Sequence, residues 1–280
     1  MVDMHIHTNN SDGTQSTKEI IEMLKQQRIK LFSITDHDNF ESCKEMEKIQ
    51  LPKNMIYIPG IEFSSKHNEY DCHILGYNIN YKNETLLEEC RLIRRRRQKK
   101  IIQVLKYIRE NYGIISESEE KNILNKNGTI GRFDICELLM KKGYGKRQEI
   151  YKKYLSPKDL ITHRSKSKTI IDVIHASGGK AILAHPREIE DDYQINIEDI
   201  IESLIVEGLD GIEIYNSIHT PEDVKRYRAL AKKYDEIISD KSFLTTGGSD
   251  FHGTNKPEII LGTTTSKHIK IKEKDIFFPY

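Results

Sequence analysis

Five short stretches of this chain place histidines and acids where they could bind divalent metal. The first is Asp3-Met4-His5-Ile6-His7. Its polar residues alternate with Val2, Met4 and Ile6, so a strand would put the three polar side chains on one face. Two imidazoles at i and i+2 can then reach one cation at the strand's end. The second is Thr35-Asp36-His37-Asp38, directly after the apolar run Leu31-Phe32-Ser33-Ile34. The third is Gly60-Ile61-Glu62, with His73 following; Glu62 stands among Ile58, Ile61 and Phe63. A carboxylate without a partner there would be costly, and a cation is the natural compensation. The fourth is the apolar run Ala181 to Ala184 ending in His185-Pro186. The fifth, Gly247 to Gly253, carries Asp250 and His252 among glycines that let the backbone pass close to a site. Taken singly, each could be a polar strand face or an Asp-rich turn. Together they hold six of the 11 histidines, and their joint placement points to one multinuclear metal site, the tool of phosphoester hydrolysis. Nitrogen and oxygen donors without thiolate suit Zn, Mn or Fe(II) better than copper or an iron–sulfur cluster.

The elements that would position these residues read as α/β. Strands are expected at Val2–Ile6, Leu31–Thr35, Met55–Phe63, Cys72–Tyr77, Lys180–Ala184, Gly211–Tyr215, Phe243–Thr246 and Ile259–Thr263, with helices between most of them. Thr17 to Gln27, with Ile20, Ile21 and Leu24 on one face, is one such helix, and Glu222 to Tyr234 is another. Strand ends that must all face one point are best met by a closed barrel whose carboxyl-end mouth gathers them, here of roughly seven parallel strands. The rhythm breaks between residues 85 and 168, where only helical patterns appear. Leu86 to Ile108 reads as one long helix closed by Gly113, Ser116 with Glu119 has capping-box spacing, and Phe133 to Lys142 stops at Gly143. The expected organisation is a barrel from residues 1–84 and 169–280, interrupted by an all-helical insertion or lid at 85–168.

Bulk composition narrows the function classes. With 280 residues, 44 Lys+Arg against 43 Asp+Glu and a net charge of +1, no global field draws the chain to nucleic acid or to an anionic membrane. Cys43, Cys72, Cys90 and Cys136 form no CxxC pair, so neither a disulfide framework nor a thiolate zinc site is expected. No apolar run approaches the length of a membrane span, and MVDMHIHT lacks a signal-peptide core. A cytoplasmic protein without membrane attachment is expected. The run Arg94-Arg95-Arg96-Arg97-Gln98-Lys99-Lys100 could be a solvated helix face or could guide an oligonucleotide end.

The segments DMHIHTNNSDGT, ITDHD, PGIEFS followed by CHILGYNI, AILAHP, DGIEIYN and TGGSDFHG, in this order, resemble the polymerase and histidinol phosphatase (PHP) family over nearly the whole chain. The resemblance implies a distorted (β/α)7-type barrel and a three-ion site. It implies one ion held by His5, His7, Glu62 and Asp250, a second by Glu62, His73 and His185 with Glu62 bridging, and a third by His37 and His252. Asp12 would complete the third, or would cap the helix beginning near Ser16 through an Asx turn. Asp250 and Asp36 are the candidate catalytic acids, and Asp3 and Asp36 could orient imidazoles from behind.

The activity implied is hydrolysis of nucleotide phosphate monoesters of the 3′,5′-bisphosphate type by a metal-bridging hydroxide, extending to 5′-3′ trimming of short RNA. A histidinol-phosphate-type metabolite phosphatase and a non-catalytic metal-binding module are the alternatives. Arg132 and Arg187 are candidate phosphate holders. Relatives usually carry Arg-Pro-His where this chain has Arg132-Phe133-Asp134. An acid beside a phosphate would repel it unless it binds metal or pairs with Arg132, so Asp134 puts the usual substrate in question.

Overall fold

The computed structural model describes residues 1–126, 128–156, 164–238, 242–264 and 270–279. The chain begins β1 (Val2–Asp3), α1 (Thr17–Gln26), β2 (Leu31–Phe32), α2 (Glu41–Met46), β3 (Ile56–Tyr57), β4 (Gly60–His67) and β5 (Tyr70–Tyr77). Four helices follow: α3 (Glu84–Tyr112), α4 (Glu117–Leu124), α5 (Arg132–Lys141) and α6 (Arg147–Tyr154). It then alternates again through β6 (Ser165–Lys166), α7 (Ser167–Ala176), β7 (Lys180–Leu183), α8 (Pro186–Tyr193), α9 (Ile197–Glu207), β8 (Gly211–Tyr215), α10 (Pro221–Ile237) and β9 (Leu244–Gly247).

Two sheets, ordered β1-β2-β3 and β6-β4-β5-β7-β8-β9, close on each other through single bridges. Ile6 bridges Phe251 beyond the ends of β1 and β9, and His37 bridges Glu62 between the end of β2 and β4. With β3 and β4 taken as one bent strand, the ring passes through β1, β2, β3/β4, β5, β7, β8 and β9 and returns to β1. This is a distorted barrel of the expected kind, and its bridges are where the histidines and acids lie.

The expectation of parallel strands throughout is corrected at β5, which runs antiparallel to both β4 and β7. Asn68 and Glu69 alone separate His67 from its partner Tyr70, and a two-residue connection can only reverse the chain. The strand expected at Ile259–Thr263 is also absent; these residues form a turn. Ile259 and Leu261 are buried and so mimic strand alternation, but Gly262 takes φ +76° and donates its N–H to Asp3 Oδ2 at 2.7 Å.

Helix boundaries follow local chemistry. Ser16 caps α1 with a reciprocal Glu19 bond, Ser116 and Glu119 do the same for α4, and α3 ends at Gly113 in the left-handed conformation. The main apolar core lies between the large sheet and α7, α9 and α10, and a smaller cluster sits between α1 and β1–β3. A separate cluster, including Ile101, Leu105, Ile108, Ile135, Leu139, Ile150 and Leu155, binds α3–α6 together. Helix α3 serves both: Leu86, Cys90 and Ile93 belong to the main core. Strand β6 falls inside the range expected for the insertion, yet it pairs with β4. Among the described residues no helix is long and apolar enough to cross a membrane.

Candidate metal centre

Asp3 at the end of β1, and His5 and His7 in the segment that follows it, are all fully buried. Their partners then separate them. Asp3 accepts from Ser249 N (2.9 Å), Ser249 Oγ (2.7 Å) and Gly262 N (2.7 Å), so it ties β1 to the chain beyond β9. Burial pushes it up to about 6 against these donors. His5 and His7 instead aim their Nε2 atoms at Glu62 Oε2, 3.4 and 3.2 Å away, and at Asp250 Oδ1, 3.5 and 3.3 Å away.

Glu62 is the hub. Its Oε1 lies 3.0 Å from His73 Nδ1 and 3.0 Å from His185 Nε2, and its Oε2 lies 3.0 Å from His37 Nδ1. Outside this hub, Asp12 approaches His7 Nδ1 (3.5 Å), His37 Nε2 (3.6 Å) and His252 Nε2 (3.3 Å). The structure thus brings His5, His7, Asp12, His37, Glu62, His73, His185, Asp250 and His252 into overlapping groups with cation-ligand spacing. Ser16, and not Asp12, caps α1. His5 Nε2, His7 Nε2, His37 Nδ1, Glu62 Oε2 and Asp12 Oδ1 are buried without a hydrogen-bond partner. Buried donors and acceptors are not left so without a reason, and divalent cations fit this nitrogen and oxygen set.

The electrostatics agree. Burial opposes charge on His5, but Glu213, Glu62 and Asp250 overcome it and hold the imidazole well above its usual value. Burial likewise opposes charge on Glu62, and His37, His5 and His73 overcome it and keep the carboxylate well below the usual range. Metal ligation needs neutral imidazoles, so a cation bound here would take the place of the protons that these carboxylates favour. Asp38, His185 and Asp250 adopt positive φ of 50°, 24° and 57°, a cost that non-glycine residues carry where surrounding structure imposes it.

Residues behind the ligand candidates escaped the sequence reading. Glu213 accepts from His5 Nδ1 (3.0 Å), from His185 N (2.9 Å) and from Asn216 Nδ2 (2.9 Å). It lies fully buried in the apolar strand β8, so the reasoning applied to Glu62 would have found it. Glu188 sits 2.7 Å from His185 Nδ1 and Lys256 2.7 Å from Asp250 Oδ2; nothing in their local sequence marks them.

Two further candidates, Asp36 and Arg187, are held by other partners. Asp36 is fully buried and accepts from Thr8 N (2.7 Å), Thr8 Oγ1 (2.7 Å) and Ser11 Oγ (2.6 Å), which makes it a brace for the 8–11 turn. Arg187 pairs with Asp191 (2.8 Å) and Asp223 (3.2 Å) on α8 and α10.

A pocket of about 350 Å³ opens beside His37, His73 and Asp12, and Arg97, Lys100, Arg132 and Arg164 line it. Arg132 donates to Leu155 O at 3.2 Å and lies over the Tyr151 ring. Asp134 does not pair with Arg132: it accepts from Lys126 Nζ (2.7 Å) and from Gly131 N (2.8 Å) at the start of α5, so its charge is neutralised beside the pocket. The arginine run divides by helical period. Arg94, Arg95 and Lys99 are exposed, whereas Arg96, Arg97 and Lys100 turn inward, Arg97 onto Asp38 and Ser64. Burial, reinforced by Arg132, Arg164 and Arg97, pushes Lys100 down to about 8.

Other histidines lie apart. His67 bonds Ser167, His175 pairs with Asp210, and His219 Nδ1 donates to Ile214 O, its imidazole pushed down to about 4 by burial. His163 and His268 lie outside the described residues.

A barrel whose mouth gathers histidines and carboxylates next to a cationic pocket defines a metal-dependent phosphoesterase. Comparison with known proteins specifies the family: residues 3–245 match the PHP domain, and the chain belongs to that family. The 5′-3′ exoribonuclease Rnm of Escherichia coli is 27% identical over 265 residues, covering 89% of this chain and 84% of the relative. The 3′,5′-nucleoside bisphosphate phosphatase of Chromobacterium violaceum is 25% identical over 256 residues, covering 90% and 87%. A crystal structure from Bifidobacterium adolescentis shares the fold, superposing with a TM-score of 0.80 at 24% identity, over 95% of this chain and 93% of that one.

Proposed function

We propose that this enzyme hydrolyses nucleotide phosphate monoesters of the 3′,5′-bisphosphate type, with short RNA trimmed from its 5′ end as the extended form of the same substrate. The observation that carries this reading is the pocket in which Arg97, Lys100, Arg132 and Arg164 face the ligand candidates His37, His73 and Asp12. One phosphoryl group can lie against the imidazole cluster while the cationic side chains hold a second anion. The names of the Escherichia coli and Chromobacterium violaceum relatives support a nucleotide or RNA substrate.

The nine residues grouped around Glu62 and Asp12 would hold three divalent ions, Mn²⁺, Zn²⁺ or Fe²⁺. When bound, such ions supply an activated water and neutralise phosphate oxygens during in-line displacement. The protein's own groups do the rest. Arg132 offers its remaining guanidinium N–H groups to phosphate. Phe133 and Tyr151 line the pocket and can pack against a base. Asp250, held by Lys256, is placed to take or hand on a proton. Helices α3 and α5 bring Arg97, Lys100 and Arg132 to the pocket, and Arg164 reaches it from just before β6. Four unpaired, buried cysteines suit a reducing compartment, and the cytoplasm is the assigned location.

Two measurements test this. Purified protein supplied with Mn²⁺ should release phosphate from nucleoside 3′,5′-bisphosphates, or 5′-mononucleotides from 5′-phosphorylated oligoribonucleotides, in preference to phosphate from histidinol phosphate and sugar phosphates. The opposite preference would favour the metabolite-phosphatase reading, and no release from any of them would favour a metal-binding module without catalysis. His7→Ala and Asp250→Ala should each lower turnover by at least about a thousandfold; unchanged turnover would sink the site assignment.

A further inference from the structure

The segment joining α4 to α5 grips the loops that carry the outermost ligand candidates. Lys126 Nζ donates to Ser11 O at 2.9 Å while pairing with Asp134 at 2.7 Å. Thr129 N donates to Asn10 O at 2.8 Å, and Thr129 Oγ1 donates to the backbone oxygen of His37 at 2.7 Å. Gly128 lies so close that a Cβ on it would stand 2.3 Å from Asn10 O, and its φ of +90° itself calls for glycine. These contacts reach the residues just before Asp12 and the main chain of His37. Both belong to the group His7, Asp12, His37 and His252. On the far side Asn255 Nδ2 holds Asp12 O at 2.6 Å, so Asp12 is gripped between barrel and insertion.

The inner groups are braced differently. His5 and His185 are held by Glu213 on β8, and Asp250 by Lys256; these braces come from the barrel itself. We propose that Lys126, Gly128 and Thr129 are positioning residues for the cation bound by His7, Asp12, His37 and His252, so that this ion's affinity depends on these three residues more than that of the others does. The inference rests on the metal-centre reading above. Hydrogen bonds behind the ligands fix their orientation before the ion arrives, and losing one typically weakens metal binding by about tenfold or more. Asp134 gains a purpose that its nearness to phosphate does not suggest: its carboxylate anchors the lysine that holds Ser11.

The test is a count of bound Mn²⁺ by plasma mass spectrometry after dialysis of metal-free protein against graded free Mn²⁺, with circular dichroism of each variant. Thr129→Val, which keeps the side chain's shape, and Lys126→Met should each weaken one equivalent of Mn²⁺ about tenfold and the remaining equivalents by less. Thr129→Ser, which restores the hydroxyl, should bind as the wild type does. Wild-type isotherms for both Thr129→Val and Lys126→Met would overturn the proposal, as would equal weakening of every equivalent in natively folded variants. A wild-type protein that binds no Mn²⁺ at all would instead overturn the metal-centre reading on which the proposal stands.

Discussion

Lys100 occupies a position where burial and three arginines act on one ammonium group and push it down to about 8. Below that pH it is charged and attracts phosphate; as pH rises through 8 the charge is lost. KM for a phosphorylated nucleotide should therefore rise by about tenfold between pH 7 and pH 9, the loss of one charge-assisted contact. In Lys100→Met, KM should already be high at pH 7 and show no inflection near 8. A wild-type KM that is flat across this range would remove Lys100 from the binding site. The basic run from Arg94 to Lys100 was legible as basic, but which members face the pocket was not. Helical period sorts 96, 97 and 100 from 94, 95 and 99 only once the buried side of α3 is known. Glu213 was legible by the rule that exposed Glu62, since both are carboxylates in apolar strands.

Elements set the distances between these residues, and the tightest seam lies where the chain beyond β9 passes β1. A Cβ on Gly248 would lie 2.3 Å from both His5 N and His5 Cβ, so Gly248→Ala must push the two segments apart. It should cost roughly 1–3 kcal/mol of unfolding free energy, the usual cost of overpacking. It should also weaken metal binding, because His5 is the residue displaced. Urea unfolding followed by a metal titration measures both, and wild-type values in each would show that the seam can relax. Most strands were found near their expected positions because aliphatic runs bounded by turn residues mark them. The reversal of β5 was hidden in Asn68-Glu69, a connection whose chain direction is a matter of turn geometry more than composition. The turn at 259–263 deceived by the opposite route, as burial of Ile259 and Leu261 arises there without a ladder.

At the scale of the whole molecule, the ligand candidates come from β4, β5 and the chain segments following β1, β2, β7 and β9, so an ion would join distant parts of the ring. Metal that binds only the folded chain stabilises it by about 2.7 kcal/mol per site at a hundredfold excess over Kd. Chelation should therefore lower the melting temperature by roughly 5 °C or more, and Mn²⁺ should restore it. Identical melting curves with and without chelator would show that the ring closes without help from a cation. By itself the sequence determined the donor chemistry, the α/β class, the strand ends that carry the histidines, and a helical interruption. The tertiary structure alone decided that Glu62 is shared, that Asp3, Asp36 and Asp38 bond to the backbone and side chains around them, that Arg187 pairs with Asp191 and Asp223, and that Lys126 with Thr129 grips the loops of Asp12 and His37. The physical reason is that a period-two pattern sets a side chain's direction relative to its own strand. Which residue it meets across the barrel depends on register and ring closure, and those are properties of the assembled sheet.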